Sequence, residues 1–596
     1  MAPRSAVFSD IEDDKKVDGI LKRTLLGLLG AFAVLVMAGP AAAQEAAGNW
    51  FGVLEVAPGT HLPLAVHIQR DDGGTLTGTM FSPAQGAALP LADIAAEGGS
   101  LTFSTPTVGG SYKGQWDTET KTWKGEWSQA GMRWPLSFAV PPPTQPPPAD
   151  WQLPSDEEIA KLIADRNAPR AGQGFVVGVL GSDGQRFVAG GTGAGAQVDR
   201  NTLFEIGSIS KVFTALILAD MVNKGEVSLD DPAAKYLPAG HHMPERNGRQ
   251  ITLRDLSTHR SGLPRMADDM GPVDSLDGPF WDYGEEKLLA FLDRYQLTRD
   301  IGSQWEYSNL GVGLLGYLLA RAAHTDYETL LRKRITGPLG MKDTMITLKG
   351  SDAARLAPPF DRYMRPAHPW DIGILTGAGG IRSSAADMLI FAKGVLDPKS
   401  AIAAAVKTAL SVRVPGEAPP AVEQALGWEV MHLPPERELL LHNGQTGGFQ
   451  TMLILEPAKG RAVVALTNSQ AQPSPDDIAL HIMIGTPVAP TPPVPPGPTK
   501  HTEISLPAAD LDKFVGRYDF GNGFVITVTH DGATLRVLRE GIPGAQAAPI
   551  YPEAPLAFFW KVVDAQLRFT TDASGAVTGA EFAEGNTKLT GRRTKP

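Results

Sequence analysis

Two proline-rich tracts divide the chain, and they restrict its architecture more than any other feature of the sequence. The first is PPPTQPPP at 141–148 and the second is TPVAPTPPVPPGPT at 486–499. Proline has no backbone N–H to donate and favours the stiff polyproline II conformation, so neither tract can continue a helix or a sheet interior. We interpret both as linkers, with a Pro-rich recognition ligand as the alternative. The 596-residue chain is therefore predicted to hold these parts after its N-terminal segment: a module at 44–140, a linker at 141–155, a large domain at 156–485, a linker at 486–501 and a module at 502–596.

The N-terminal segment has the pattern of a secretory signal. Lys22 and Arg23 precede an apolar run from Leu25 to Ala38, which is followed by Gly-Pro and three alanines. A charged region, a short apolar region and small residues at a cleavage site define such signals, and the run is shorter than a bilayer-spanning helix. Residues 1–43 are predicted to be a signal peptide, with an uncleaved anchor as the alternative. The mature protein is then exported, either periplasmic or secreted, and its only membrane contact is during export.

The first module shows the period of β-strands. Apolar residues alternate with others from Leu62 to Ile68. Farther on, the turn-like DTETK at 117–121 separates two sets of positions that would face each other in a hairpin: Tyr112, Gly114 and Trp116, and then Trp123, Gly125 and Trp127. These tryptophans are interpreted as core, with stacking on the sugar rings of a glycan as the alternative.

The last module repeats this alternation. Apolar residues recur at every second position from Phe524 to Val528, and His530-Asp531-Gly532 then separates them from Leu535 and Val537. An Asp-Gly turn between alternating segments is the signal of a hairpin. Residues 502–596 are predicted to form a second all-β module, a small barrel.

The region between the linkers mixes two periods. Helical runs at 212–222 and 310–323 alternate with strand-like pieces at 174–179, 451–455 and 463–466. This alternation is typical of a mixed α and β domain, and about 330 residues suffice for one large enzyme domain.

Composition excludes several classes of function. A formal net charge of -11 and the lack of a Lys/Arg block argue against a nucleic-acid partner. The chain has no cysteine, which excludes disulfides, thiol nucleophiles and thiolate metal sites. The adjacent pair His241-His242 lacks the i, i+4 spacing of a helical metal site. We therefore predict no metal and no cofactor, and catalysis by oxygen and nitrogen groups.

Ser208 and Lys211 are the candidate nucleophile and base. They lie three residues apart in FEIGSISKVFTALIL, at the start of an apolar helical run. This spacing puts both side chains on one helical face, and a neutral amine beside a hydroxyl can take its proton. The start of a helix also stabilises negative charge. S-x-x-K on its own recurs by chance, and serine is a common first residue of helices.

A second group of polar residues lies in QWEYSNLGVGLLGYLL. Tyr307 is a candidate general base if a cation such as Lys211 stabilises its phenolate, because a free phenol has a pKa near 10. Asn309 could donate and accept hydrogen bonds with an amide of the substrate. The alternative is a buried tyrosine followed by an asparagine cap.

The third group lies in HNGQTGGF, before the apolar stretch at 451–455. His442 begins it, and glycines such as Gly444 let a strand edge bring its backbone N–H groups close to a ligand. The N–H of Gln445 together with that of Ser208 would form an oxyanion hole. The alternative is a plain turn into a strand.

The three groups occur in the order S-x-x-K, Y-x-N and H-x-G. In this respect the chain resembles the serine hydrolases related to class C β-lactamases and penicillin-binding proteins, which include D-aminopeptidases and esterases. Further stretches are similar to the same family: GEVSLDDPAAKYLP at 225–238, ITLRDLSTHRSGLP at 251–264 and GAGGIRSSAADM at 377–388. The resemblance implies an α+β fold for residues 156–485, with an antiparallel sheet, flanking helices and a helical lobe. The C-terminal module resembles the lipocalin-like barrels appended to such peptidases.

The resemblance also implies roles for the site residues. Ser208 is acylated, Lys211 and Tyr307 move protons, and Asn309 holds the substrate amide. His442 stands where β-lactamases usually have a lysine that helps to bind the substrate carboxylate. A histidine of ordinary pKa near 6.5 is largely neutral at pH 7, which argues against efficient β-lactam turnover. Gly444 and Gln445 complete the expected substrate-binding edge.

The sequence thus predicts an exported serine hydrolase that cleaves amide or ester bonds through an acyl-enzyme on Ser208. β-Lactams, D-amino-acid peptides and simple esters all fit as substrates, so its partners are small molecules or peptides, with peptidoglycan fragments of the cell wall among them. The alternatives are an esterase of the same family and a non-catalytic protein that binds penicillin or cell-wall peptides.

Overall fold

A computed structural model describes most of the chain after residue 45. The predicted signal segment and the first proline tract lie outside the described residues. Among the helices in the described part of the chain, none combines the length and the apolar character needed to cross a membrane. The described residues are 46–57, 60–70, 75–82, 87–129, 132–139, 150–193, 196–270, 280, 282–416, 422–434, 436–494, 501–521, 524–532, 534–540, 547–561, 565–584 and 587–594.

Residues 48–139 form one antiparallel sheet of nine strands. Its order is β4-β3-β2-β1-β9-β8-β7-β6-β5, and the strands are β1 Gly48–Ala57, β2 Thr60–Arg70, β3 Leu76–Ser82, β4 Ala87–Pro90, β5 Ala92–Glu97, β6 Ser100–Thr105, β7 Gly110–Asp117, β8 Thr122–Gln129 and β9 Met132–Ala139. The N–H of Leu91 donates to the carbonyl of Gly78 at 2.9 Å and continues the pairing of β4 with β3. The two end strands of the order, β4 and β5, are separated in the chain by Leu91 alone, so the two ends of the sheet lie next to each other. The sequence prediction of an all-β region is confirmed.

The predicted hairpin across 117–121 has the expected register. Trp116 pairs with Trp123, Gly114 with Gly125 and Tyr112 with Trp127. Tyr112, Trp123 and Trp127 are almost completely buried in the core of this sheet. Burial of these rings favours the core interpretation over the stacking of a glycan on them.

A second nine-stranded antiparallel sheet lies at the centre of residues 150–494. Its order is β12-β11-β10-β22-β21-β20-β19-β18-β17, and the short strands β13 and β16 pair with each other, as do β14 and β15. The strands are β10 Gly174–Gly181, β11 Gly184–Gly193, β12 Ala196–Gln197, β13 Leu203–Glu205, β14 Glu245–Arg246, β15 Arg249–Gln250, β16 Arg382–Ser384, β17 Val414–Pro415, β18 Val422–Gln424, β19 Glu429–Leu433, β20 Arg437–Gln445, β21 Gln450–Glu456 and β22 Arg461–Thr467.

Helices cover both faces of this sheet and build the lobe between β13 and β16. They are α1 Asp156–Asn167, α2 Ser210–Asn223, α3 Leu253–Ser257, α4 Glu285–Arg294, α5 Asn309–Ala322, α6 Tyr327–Leu331, α7 Gly337–Leu339, α8 Asp352–Arg355, α9 Ala385–Leu396, α10 Ala403–Ser411 and α11 Asp476–Ile484. A π-helical turn at Arg332–Thr336 joins α6 to α7. Short 3-10 turns lie at Pro106–Val108, Gly207–Ile209, Ala233–Tyr236, Gly373–Ala378, Pro457–Lys459, Ala508–Asp510 and Asp512–Phe514.

The sequences of the central strands are continuous apolar runs because both faces of these strands are buried. On β21, Met452 and Ile454 join the core with α1 and α11, whereas Leu453 and Leu455 join the core with α2 and α9. The predicted helical run at 212–222 and the three strand pieces lie within helices and strands of the structure, and the run at 310–323 ends one residue beyond α5, at its C-cap Ala323. The α+β prediction for this region is confirmed.

The C-terminal residues form a closed barrel of eight antiparallel strands. The predicted hairpin lies at its start, where Val528 pairs with Val537 and Asp531 with Thr534 across Gly532. The strands are β23 Gly516–Asp519, β24 Val525–Asp531, β25 Thr534–Arg539, β26 Ala548–Ala554, β27 Ala557–Phe559, β28 Ala565–Thr571, β29 Val577–Glu584 and β30 Thr587–Thr594. The all-β prediction is confirmed for this end of the chain as well.

Candidate active site

Ser208 lies on a 3-10 turn that leads directly into α2. The turn spans Gly207–Ile209, so Ser208 precedes the α-helix itself, which begins at Ser210. Gly207 has a φ of +52°, in the left-handed region that favours glycine. Ser208 is partly exposed, whereas both of its neighbours in the turn are buried. The turn therefore presents one hydroxyl at the surface of a rigid apolar helix.

Contacts with β20, with β21 and with the residue before β16 hold this turn in place. The N–H of Ile206 donates to the carbonyl of Ile381 at 3.0 Å. The carbonyl of Ile206 accepts from the hydroxyl of Thr451, on β21, at 3.0 Å. A Cβ at Gly444 would overlap that same carbonyl. Gly444 is thus required for the close approach of β20 to the turn that carries Ser208.

Lys211 contacts Ser208, as its spacing predicts. Its Nζ lies 3.0 Å from the Oγ of Ser208, 2.8 Å from the Oδ1 of Asn309 and 2.7 Å from the carbonyl oxygen of Ala378. The side chain is completely buried. Burial, and then the positive charge of Arg265, hold the pKa of Lys211 well below the usual 10.5.

A neutral amine, the form that burial favours, can make all three contacts. The oxygens of Asn309 and Ala378 can only accept, so they use both hydrogens that a neutral amine has. The remaining lone pair of Lys211 then points to the Ser208 hydroxyl and can take its proton. The described part of the chain gives Lys211 no ion pair with a carboxylate, which would favour the charged form.

Tyr307 and Asn309 lie at the start of α5. Ser308 is the N-cap of this helix and its Oγ accepts from the N–H of Gly311 at 2.8 Å, so the cap is the serine and not Asn309. The Nζ of Lys211 lies 4.8 Å from the centre of the Tyr307 ring. The structure therefore brings Ser208, Lys211, Tyr307 and Asn309 together, from two helices far apart in sequence.

His442, Gly444 and Gln445 lie at the end of β20, next to the Ser208 turn. His442 to Gln445 continue the strand and pair with β21, so this segment is strand rather than turn. A Cβ on Gly207 would lie 2.6 Å from the backbone nitrogen of Gln445. The rings of His442 and Tyr307 are 6.4 Å apart. All seven residues expected from the sequence are thus grouped around one site.

The sequence profile of the Beta-lactamase family matches residues 159–484, which is more than half of the chain. The chain belongs to the beta-lactamase family. The resemblance drawn from its three motifs is thereby confirmed, and the protein is a serine hydrolase of this family. A separate profile, of a domain of unknown function (DUF3471), matches residues 500–593, the region of the closed barrel.

Curated relatives share the family part of the chain. The D-alanyl-D-alanine-carboxypeptidase/endopeptidase AmpH of Escherichia coli (strain K12) is 30% identical over 337 residues, which cover 53% of this chain and 86% of AmpH. A beta-lactamase of Pseudomonas fluorescens is 25% identical, over 46% of this chain and 80% of its own length. Among solved structures, the class C beta lactamase from Rhodobacter sphaeroides has 25% identity and a TM-score of 0.47, over 55% of this chain and 98% of its own.

The histidine of the third motif is uncharged at neutral pH because it is buried, which the sequence did not show. His442 is almost completely buried, and this burial is the largest cause that lowers its pKa from 6.5 to about 3, so an ordinary pKa was the wrong expectation. Its Nδ1 lies 2.6 Å from the carbonyl oxygen of Asn443, which can only accept. Nδ1 therefore carries the hydrogen, and Nε2 has the lone pair.

His259, within the 251–264 stretch, and Arg265, directly after it, contact the site without having been singled out from the sequence. His259 stacks on Tyr307 with ring centres 4.5 Å apart, and its Nδ1 accepts from the N–H of Ser308 at 3.1 Å. The carbonyl of Arg265 accepts from the N–H of Asn309 at 3.0 Å, and its guanidinium carbon lies 4.9 Å from the centre of the Tyr307 ring. The only signal in the sequence was the family-like stretch STHRSGLP, without a role for either side chain.

One cluster away from this site has the residue types of a metal centre. The ligand atoms of Glu423, His432 and Glu438 all lie within 4.8 Å of one another. Glu423 and Glu438 contact opposite ring nitrogens of His432, and Arg413 lies within 4.0 Å of both carboxylates. Since the positive charge of Arg413 occupies this cluster, we interpret it as a network of ion pairs on the exposed side of β18 to β20.

Proposed function

We propose that this protein is an exported hydrolase that cleaves amide or ester bonds through an acyl-enzyme on Ser208. The observation that carries the proposal is the 3.0 Å contact between Ser208 Oγ and Lys211 Nζ, made by an amine that is completely buried. Burial lowers the pKa of Lys211, and a neutral amine at hydrogen-bond distance is what a serine nucleophile requires.

The chemistry follows from this geometry. Lys211 takes the proton of Ser208 as the oxygen attacks the carbonyl carbon of the substrate. The N–H groups of Ser208 and Gln445 stabilise the resulting oxyanion, and Lys211 with Tyr307 returns the proton to the leaving group. A water activated by the same pair then hydrolyses the ester on Ser208 and regenerates the enzyme.

Peptides that end in D-amino acids are the substrate class that we propose first. AmpH, a D-alanyl-D-alanine-carboxypeptidase/endopeptidase, is 30% identical to this chain over 337 residues. The neutral His442 leaves the third motif without the fixed charge of a lysine, which argues against efficient β-lactam turnover. Fragments of cell-wall peptidoglycan are the natural source of such peptides for an exported protein.

An assay with three substrates tests the proposal. We expect turnover of an N-acyl-D-Ala-D-Ala peptide and of p-nitrophenyl acetate, with slower turnover of nitrocefin, and an acyl adduct on Ser208 in the intact mass spectrum. Ser208→Ala should abolish all three reactions, while Ser411→Ala, at an exposed serine of α10, should change none. Turnover that survives in Ser208→Ala contradicts the acyl-enzyme. A stable adduct without turnover indicates a penicillin-binding protein, and activity on the ester alone indicates an esterase.

Export is tested by the mature N-terminus. We expect cleavage near residue 43 in material recovered outside the cytoplasm. An intact N-terminus on the exported protein contradicts the signal-peptide prediction.

A further inference from the structure

Among the described residues, Arg265 is an arginine whose guanidinium group lies against the ring of Tyr307 and brings a permanent positive charge to the site. Its backbone is fixed to the start of α5, because its carbonyl accepts from the N–H groups of Asn309 at 3.0 Å and Leu310 at 3.2 Å. Its side chain is exposed, and the guanidinium carbon lies 4.9 Å from the centre of the Tyr307 ring. The charge therefore lies at the open side of the site, on a rigid support.

Burial disfavours the charged form of the other basic groups at the site. Burial lowers the pKa of Lys211 well below 10.5 and that of His442 to about 3. The pKa of His259 also lies well below 6.5, first because the ring is buried and then because the positive charge of Arg265 opposes its protonation. An arginine stays protonated in proteins, whereas burial disfavours the charge of these three groups.

No carboxylate of the described residues forms an ion pair with Arg265. The nearby acidic groups are engaged elsewhere: Glu306 pairs with Arg299, and both Asp268 and Asp269 pair with Arg294. A guanidinium presents a planar set of N–H donors that matches a carboxylate, and charge-assisted bonds of this type are the strong ones. Arg265 is thus available to a ligand of the site.

We propose that Arg265 binds a carboxylate of the substrate, and that it supplies the anion recognition that His442 does not. This inference rests on the proposed function and specifies its substrates as anionic, such as peptides with a free C-terminal carboxylate. Arg265 then determines specificity, while Ser208 and Lys211 carry the bond cleavage.

A paired-substrate experiment tests this role. The substrates are an N-acyl-D-Ala-D-Ala peptide and the same peptide with a C-terminal carboxamide, which removes the negative charge and keeps the scissile bond. We measure the ratio of kcat/KM for the acid to that for the amide. Arg265→Gln should lower this ratio about 10- to 100-fold, as expected for the loss of a charge-assisted bond, chiefly through KM for the acid. Arg265→Lys should restore part of it.

Arg254→Gln is the matched control, since Arg254 pairs with Asp230 on the surface and should leave the ratio unchanged. An equal loss on acid and amide, or an unchanged ratio in Arg265→Gln, overturns the proposal. An equal loss with a shifted pH profile would instead assign Arg265 to the Tyr307 phenolate.

Binding separates this proposal from the proposed function. In the Ser208→Ala background, calorimetric titration should give a dissociation constant for the acid that rises about 10- to 100-fold when Arg265→Gln is added. Tight binding of the acid that depends on Arg265 supports anion recognition even if the wild-type protein turns over no substrate. In that case the proposed hydrolysis is contradicted, and the proposed role of Arg265 is not. If Arg265→Gln leaves the dissociation constant of the acid unchanged while turnover still depends on Ser208, the proposed role of Arg265 is wrong and the proposed function stands.

Discussion

Asn309→Asp tests whether Lys211 acts as a neutral base. The Oδ1 of Asn309 lies 2.8 Å from the Nζ of Lys211, and aspartate would place a carboxylate oxygen at nearly the same point. Because the side chains have the same shape, the substitution changes the charge beside the amine and little else. We expect the carboxylate to hold Lys211 in its protonated form, which has no lone pair for the proton of Ser208.

The size of the effect follows from the distance. Two unit charges 2.8 Å apart attract each other by about 6 kcal/mol at an effective dielectric constant of about 20. Desolvation of the new carboxylate opposes this by a few kcal/mol. A net stabilisation of the ammonium form by about 2 to 4 kcal/mol lowers the neutral fraction of Lys211 about 30- to 1000-fold at fixed pH. We expect kcat/KM near pH 7 to fall by a similar factor.

The assay is the pH dependence of kcat/KM for p-nitrophenyl acetate. Because a raised pKa keeps the lysine protonated to higher pH, the acidic limb should move to higher pH in Asn309→Asp, and activity should recover as the pH rises. Asn223→Asp is the control: it lies in α2 about 18 Å along the helix from Lys211, and its new carboxylate can still accept from Thr408. An acidic limb at the wild-type position, with kcat/KM intact, would refute the neutral-base mechanism.

Three further predictions concern the other residues of the site. Tyr307→Phe should lower kcat about 100-fold or more in steady-state assays, since proton transfer by a positioned group contributes about that much, and near-normal turnover would exclude Tyr307 as a proton carrier. His442→Lys should raise the acid-to-amide ratio of kcat/KM about 10-fold, because it adds a charge where none exists; an unchanged ratio would contradict our explanation of this position. Gly444→Ala should lower the melting temperature by several degrees, since its Cβ would overlap the carbonyl of Ile206, and a wild-type thermal transition would show that β20 can move away.

Local sequence patterns were enough to predict several elements of secondary structure. The apolar run from 212 to 222 lies within α2, and the alternation around the turn at 117–121 gave the pairing of Trp116 with Trp123. These features depend on side-chain period and on turn residues, which act over a few positions. Motif order was enough to group Ser208 with Tyr307 and His442, because the family resemblance carries the long-range contacts implicitly.

Contacts made through the backbone or across the fold could not be predicted in this way. The carbonyl of Ala378 accepts from Lys211 across 167 positions, and a carbonyl leaves no mark in a sequence. The stacking of His259 on Tyr307 depends on a loop in which His259 adopts a φ of +58°. The low pKa of His442 results from burial, which a motif does not reveal.

The arrangement of charge explains why a histidine at position 442 suits this site. A lysine there would place a second amine beside Lys211, whereas His442 is neutral and presents only a lone pair at Nε2. Lys211 is held by two oxygens that carry no formal charge, so burial lowers its pKa without an opposing carboxylate. Burial thus disfavours charge in the interior, where Ser208 gives up its proton. The permanent charge of Arg265 lies at the exposed edge, where it can meet an anionic substrate.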